Sequence, residues 1–293
     1  MIELIQQILA GLATGVIYAG LALALGVVFQ GTGMLNLAQG ELATLSAFAA
    51  WSLIDAGLPF WGAFPLAVLL SAVLGAAIER VLVRPVEGSG PMVLLAAGAA
   101  MLLGVNALMA LGWGTDPRTF ASPFGASSVG FGDVRLTSQQ VGAAVLVLVT
   151  MGVIAGLFRF TPVGLKLRAV ATNPASARLL GIRTGRILAL GWALAGAVGG
   201  VAGIAAAPVV GLSPDMMSGP LLLALAAATL GGMTSRAGAV VGGLVIGVAG
   251  SLASRYVPGL GGDLQLVVPF GIIFAVLLLR PQGLFGRAAT VRA

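Results

Sequence analysis

The strongest constraint on this chain is how rarely a charge interrupts it. Charge-free apolar stretches run over Ile8–Phe29, Leu42–Ile54, Phe60–Ile78, Pro91–Gly112, Gln139–Phe158, Ile187–Ala207, Met216–Ser235, Ala237–Ser254 and Leu264–Leu279. A helix needs about 20 apolar residues to cross a ~30 Å hydrocarbon core, and in lipid only helices and closed barrels satisfy every backbone hydrogen bond. Charged residues make up 8% of the 293 and hydrophobic residues 59%; soluble domains carry roughly 25% charge. The expected fold is all-α: a polytopic helical membrane protein of eight to ten transmembrane or re-entrant helices, forming one transmembrane domain over residues 1–293. Leu42–Ile54 is too short to cross unaided and reads as re-entrant or tilted. Glu3 and the absence of a basic run before the first apolar stretch favour a retained span over a cleaved signal peptide.

The few basic residues orient the chain. Arg159 to Arg186 contains Arg159, Lys166, Arg168, Arg178, Arg183 and Arg186 and no acid, which places this segment in the cytoplasm by the positive-inside rule. If all nine stretches cross, 12 of the 15 basic residues fall inside and only Arg118, Arg135 and Arg255 outside. The N-terminus is then out and the C-terminus in, with residues 113–138 as an exposed outer loop. Basic residues spread over short loops also exclude a nucleic-acid interface, despite a net charge of +6. The chain has no Cys and no His, which removes disulfides, thiolate metal sites and the usual base of a Ser or Cys nucleophile.

Two polar interruptions break the apolar pattern: Gly31 to Glu41, with Asn36, Gln39, Gly40 and Glu41, and Gly231 to Arg236, with Gly231 and Gly232. Unwound backbone at membrane depth is tolerated only where protein or a wet cavity satisfies it, and paired breaks point to a transport pathway. Capping of the next helix by Asn36, Gln39 and Glu41 is the competing reading. Asn106, inside an apolar run, suits an interhelical hydrogen bond. Glycines four apart, at Gly11/Gly15, Gly196/Gly200, Gly199/Gly203, Gly238/Gly242 and Gly243/Gly247, suit close packing of helices within the chain or between copies.

Within the basic loop, Asn173 to Ile182 spells a short helix with its punctuation: Asn173 as N-cap, Pro174 in the first turn, Gly181 as C-cap. Two isolated turns are unstable in water. Leu179, Leu180 and Ile182 offer apolar contact to a partner groove, with docking on the chain's own helix ends as the alternative.

These features together resemble the LivH-type permeases of branched-chain amino acid ABC importers. The likeness runs through Gly15 to Gly20, Gly33 to Glu41, Glu79-Arg80 to Arg84-Pro85, Gly164 to Ala169, Leu180-Gly181-Ile182, Gly231 to Gly243 and Arg280 to Gly286. The resemblance implies that the loop helix is a coupling helix for an ATP-binding subunit, with Gly164, Arg168, Asn173, Ala177, Arg178, Leu179, Leu180, Gly181 and Ile182 forming that site. The candidate pathway residues, drawn from the polar interruptions and the intra-span amide, are Asn36, Gln39, Gly40, Glu41, Asn106, Gly231 and Gly232. The resemblance implies as partners a second related permease, two cytoplasmic ATPases and a periplasmic or lipoprotein substrate-binding protein, in a bacterial inner membrane. Ala175 stands where the family often has an acid. No P-loop string occurs, so no cofactor is expected on this chain, and ATP with Mg is expected on the ATPases.

Few fixed charges suit an apolar amino-acid cargo, with urea or short amides as the alternative. An ion-coupled transporter or channel would need ionisable groups inside the spans, for which Glu41 and Asp55 are the candidates. Gly130-Phe131-Gly132-Asp133 matches the Gly-x-Gly-Asp string of intramembrane aspartyl proteases, but Arg135 and the polar surroundings deny Asp133 the dry site that chemistry needs.

Overall fold

The computed structural model describes residues 2–125, 127–131, 134–257, 267–280 and 282–286. Asp133, Asp263, Arg287 and Arg292 therefore lie outside the described residues. Over its described residues, each of the nine apolar stretches falls largely on a helix. Helix α1 (Ile2–Thr32) is followed by α2 (Gln39–Asp55), α3 (Phe60–Ile78) and α4 (Pro91–Trp113). Next come α5 (Ser138–Phe160), α6 (Pro162–Thr172), α7 (Pro174–Leu179), α8 (Thr184–Val210), α9 (Ser218–Gly231), α10 (Arg236–Tyr256) and α11 (Val267–Leu279). Among the described residues, six helical spans are long and apolar enough to cross a membrane: α1, α3 with its extension to Val86, α4, α5, α8 and α10. The other apolar helices, α2, α9 and α11, have only 17, 14 and 13 residues.

Local chemistry sets the ends. Thr137 and Gln140 form a reciprocal capping box that starts α5, and the Thr161 and Ser235 hydroxyls accept from the backbone N–H groups of Gly164 and Gly238 to start α6 and α10. Helix α3 does not stop at Ile78. It runs on through a π-helical turn (Glu79–Val83) and a 3-10 turn (Arg84–Val86), where Pro85 removes a donor and ends the ladder.

The centre of the bundle is made by α1 and α8. Of their most apolar windows 72% and 67% are buried inside the protein, against 17% for α4 and 28% for α5. Leu103 and Leu111 on α4 and Val149 and Val153 on α5 stay exposed, as the lipid-facing surface of a membrane protein should. The glycine pairs work within the chain. A Cβ on Gly11 would come 2.7 Å from Val248 Cα, and one on Gly15 2.8 Å from the Gly243 carbonyl oxygen, so α1 lies backbone to backbone on α10. On α8, Gly196 meets the backbone of Ser71 on α3, and Gly203 that of Ala43 on α2. One helix thereby holds two neighbours at van der Waals distance.

The loop between α4 and α5 is more than a connector. It contains an antiparallel hairpin, β1 (Ser128–Phe131) and β2 (Val134–Thr137), a small departure from an all-helical expectation. Upstream, Arg118 and Leu212 exchange backbone hydrogen bonds of 2.8 and 3.0 Å, and the Arg118 guanidinium lies 4.4 Å over the Trp51 ring. Phe120 is buried. These contacts tie the loop down onto the bundle.

Candidate translocation and coupling sites

The first break is real and sits deep. Helix α1 ends at Gly33, whose φ of +68° only glycine adopts freely, and residues 34–38 form no helix before Gln39 opens α2. Asn36 and Gln39 are fully buried. The Asn36 amide donates to Gln39 Oε1 at 3.0 Å, and the Gln39 amide donates to the Ala195 carbonyl at 3.0 Å. Ala195 lies near the middle of the 27-residue α8, about 16 Å along it from Thr184. These two amides therefore bond to each other and to a carbonyl within α8 instead of capping, with Asn36 Oδ1 buried without a partner among the described residues: the residue preceding α2 is Ala38, and no side chain caps the helix. Glu41, in the first turn of α2, is favoured by the helix dipole.

A second crossing is broken at the same level, but not where the sequence suggested. The chain turns at Gly211, with Pro208 just before and Pro214 just after, and descends through residues 211–217 before α9 begins. Gly40 abuts Met217 and Leu221, a Cβ there falling 3.4 Å and 3.1 Å from their side chains. The starts of α2 and α9 thus meet inside the bundle. Asn106 on α4 closes this junction: its amide nitrogen lies 3.2 Å from Glu41 Oε2, 3.3 Å from the Pro214 carbonyl and 3.2 Å from Asp215 Oδ1. Three acceptors share a nitrogen that carries two hydrogens. Glu41 is 4% exposed, while Asp215 is open to the surface. Asp215 is not among the pathway residues expected from the sequence. The Gly-Leu-Ser-Pro-Asp run at 211–215 was the available signal.

Gly231 and Gly232 stand elsewhere. They form the turn between α9 and α10, beside the end of α1: the Gln30 amide donates to the Thr234 carbonyl at 3.0 Å. Gly231 packs on Gly238, and the backbone of Leu284 and Phe285 donates to the carbonyls of Leu230 and Gly231 at 2.8 and 3.1 Å. The glycines allow this close crossing and a tight turn, so the structure separates them from Asn36 to Glu41.

The loop helix forms as its punctuation requires. The Asn173 carbonyl oxygen Oδ1 accepts from the Ser176 N–H at 3.0 Å, and Gly181 takes φ +77° beyond the C-terminus. Ala177 is buried against Val170 and Leu188, and Ile182 packs on the same cluster. Ile182 is half-buried, packed in part on the chain's own helices. Leu179 and Leu180 remain 90% and 79% exposed. Arg178 donates to the Thr184 hydroxyl at 3.1 Å, which clamps α7 to the start of α8. Gly164 is pressed against the backbone of Phe158, where a side chain would not fit, and Arg168 borders a cleft between α5 and α10.

A buried acid went unrecognised in the sequence. Glu79, 1% exposed, is gripped by Arg84 at 2.8 Å, and the same guanidinium donates to the Gly185 carbonyl at 2.6 Å. Asp55, the other candidate for a charge within the spans, is exposed at the end of α2.

The bundle thus has two short helices, α2 and α9, whose starts meet at a polar junction, and a small helix, α7, with two exposed leucines at its end. Residues 7–277 match the family described as branched-chain amino acid transport system, permease component. The chain belongs to that family. Its relatives include the high-affinity branched-chain amino acid transport system permease protein LivH of Salmonella typhimurium, 31% identical over 97% of this chain and 96% of the relative. The corresponding protein BraD of Pseudomonas aeruginosa is 30% identical over 97% and 96%. LivM of Salmonella typhimurium, also a branched-chain amino acid permease protein, is 25% identical over 92% of this chain and 67% of its own length. The chain is accordingly a multi-pass permease subunit of an ABC importer and not an enzyme.

Proposed function

We propose that this permease carries branched-chain or other hydrophobic amino acids across the bacterial cytoplasmic membrane by alternating access. It is paired with a second, related permease. Two cytoplasmic ATPases, holding ATP and Mg, drive it, and a periplasmic or lipoprotein binding protein loads it. The N-terminus is outside and the C-terminus inside. This orientation puts the basic coupling segment 159–186 in the cytoplasm, and the broken crossings through α2 and α9 each count as one passage. The outer loop 113–138, held down by Arg118, then faces the binding protein.

The pathway runs past Asn36, Gln39, Gly40, Glu41 and Asn106, joined by Asp215; Gly231 and Gly232 pack the inner end of the bundle. Asn106, Glu41 and Asp215 are already engaged with one another, and the few charges along the pathway suit side chains such as those of leucine and valine.

The observation that carries the reading is the exposure of Leu179 and Leu180 on α7. A six-residue helix cannot stand alone, yet its base is locked by Ala177, Ile182 and the Asn173 and Gly181 caps, with Arg178 bracing it. Such a lever transmits a push to α6 and α8 without melting. Replacing both leucines by Asp is expected to abolish co-purification of the ATPases and uptake of labelled leucine, with the permease still inserted at wild-type levels. Intact assembly and transport in that variant would refute the coupling assignment.

A further inference from the structure

We propose that the cleft bounded by α5, α6 and α10 is a binding site for the headgroup of an anionic phospholipid, with an acyl chain lying against its apolar wall. The cleft has a volume of ≈ 500 Å³ and is open on one side. Its polar lining is three guanidiniums, Arg159 at the end of α5, Arg168 on α6 and Arg236 at the start of α10; Leu23, Met151 and Val240 supply apolar wall. Arg236 is fixed by neutral groups: it lies 4.6 Å over the Phe158 ring and donates to Gln30 Oε1 at 3.3 Å. The ion pairs among the described residues are Glu79 with Arg84 and Glu3 with Arg255. None of the three cleft arginines has a carboxylate partner there.

Three like charges around one opening repel unless an anion joins them, and guanidinium forks match phosphate oxygens in a bidentate manner. The location selects a lipid as the source of that phosphate. Arg159 and Arg236 sit where two apolar helices leave the hydrocarbon, the depth of a headgroup, and basic pockets between membrane helices recognise anionic lipids. From there, Met151 and Ala155 on α5, Val240 on α10 and Leu23 on α1 continue the apolar wall of the cleft along the helices, a track for an acyl chain. A free phosphate ion would make no use of that track.

The test uses the purified transporter complex in nanodiscs of phosphatidylcholine containing a minor fraction of phosphatidylglycerol, with lipids retained after detergent extraction counted by mass spectrometry. Wild type is expected to retain phosphatidylglycerol about tenfold above its bulk share, and the R159Q/R168Q pair to bring retention down to the bulk share. Ala155→Trp, which fills the cleft without touching a charge, is expected to lower retention as well, and it carries the test if the arginine pair fails to assemble. Added inorganic phosphate is expected not to displace the lipid. Equal retention in wild type and variants would overturn the proposal, as would displacement by inorganic phosphate. Loss of ATPase co-purification with lipid retention unchanged would equally overturn it, making the cleft a protein interface.

Discussion

Removing Arg84 should destabilise the permease far more than removing its partner. Glu79 is 1% exposed, whereas the Arg84 side chain is 34% exposed. Arg84→Met leaves a carboxylate in the bundle with no countercharge and frees the Gly185 carbonyl. Breaking a buried pair from one side costs about 3–5 kcal/mol, and the partial exposure of Arg84 selects the lower end, about 3 kcal/mol. That is about 150-fold in the unfolding constant. Glu79→Leu instead leaves a guanidinium that still reaches water and still holds Gly185, so about 1 kcal/mol is expected. The double variant Glu79→Leu, Arg84→Met should recover most of the loss, because replacing both members of a buried pair by apolar groups is close to neutral. Steric trapping in bicelles measures all four proteins on one scale. An Arg84→Met variant within about 1 kcal/mol of wild type, or a double variant no better than it, would refute the claim that burial of Glu79 depends on this guanidinium.

Other substitutions test the packing, the sidedness and the junction. Gly203→Leu drives a side chain into the Ala43 backbone and should abolish the monodisperse peak in size-exclusion chromatography, whereas Gly152→Leu, with nothing within 4 Å of its Cβ, should leave it unchanged. The natural absence of Cys allows single cysteines at Lys166 and Ser127: an impermeant maleimide applied to intact cells should label Ser127→Cys and spare Lys166→Cys, and the reverse pattern would invert the topology. Asn106→Asp replaces the shared donor between Glu41 and Asp215 by a third acid and should cut uptake about tenfold while ATPase co-purification persists; undiminished uptake would remove the junction from the pathway.

The features legible in the sequence were those written in neighbouring residues. Asn173, Pro174 and Gly181 specify α7 within one short segment, since caps and a φ-permissive glycine act locally. Apolar runs marked the helices outside the basic segment, though not α6, and Gly33 to Glu41 showed its break because polar amides interrupt an apolar stretch there. Depth was not legible. Gly231-Gly232-Met233-Thr234-Ser235 and Gly211-Leu212-Ser213-Pro214-Asp215 are similar in composition, yet one turns at the end of the bundle and the other descends to meet α2. What separates them is Asn106 and Gly40, remote in sequence, and no local pattern encodes that contact. Glu79 escaped for the same reason: its burial depends on Gly185 lying beneath Arg84, 101 residues away. The hairpin at 128–137 lay in a stretch whose Gly, Ser and Pro content reads equally well as open loop.

The packing of α1 against α10 sets a schedule for assembly. Ser251 bonds Gln7 across 244 residues of chain, so at about 5–20 residues per second the ribosome needs about 10–50 s to supply the surface that the first helix is shaped to meet. Throughout that interval the glycine furrow of α1 lacks the helix that packs into it. Maturation of the permease is therefore bounded by translation, and any chain cut short before α10 leaves its opening helix without the groove it was built to occupy.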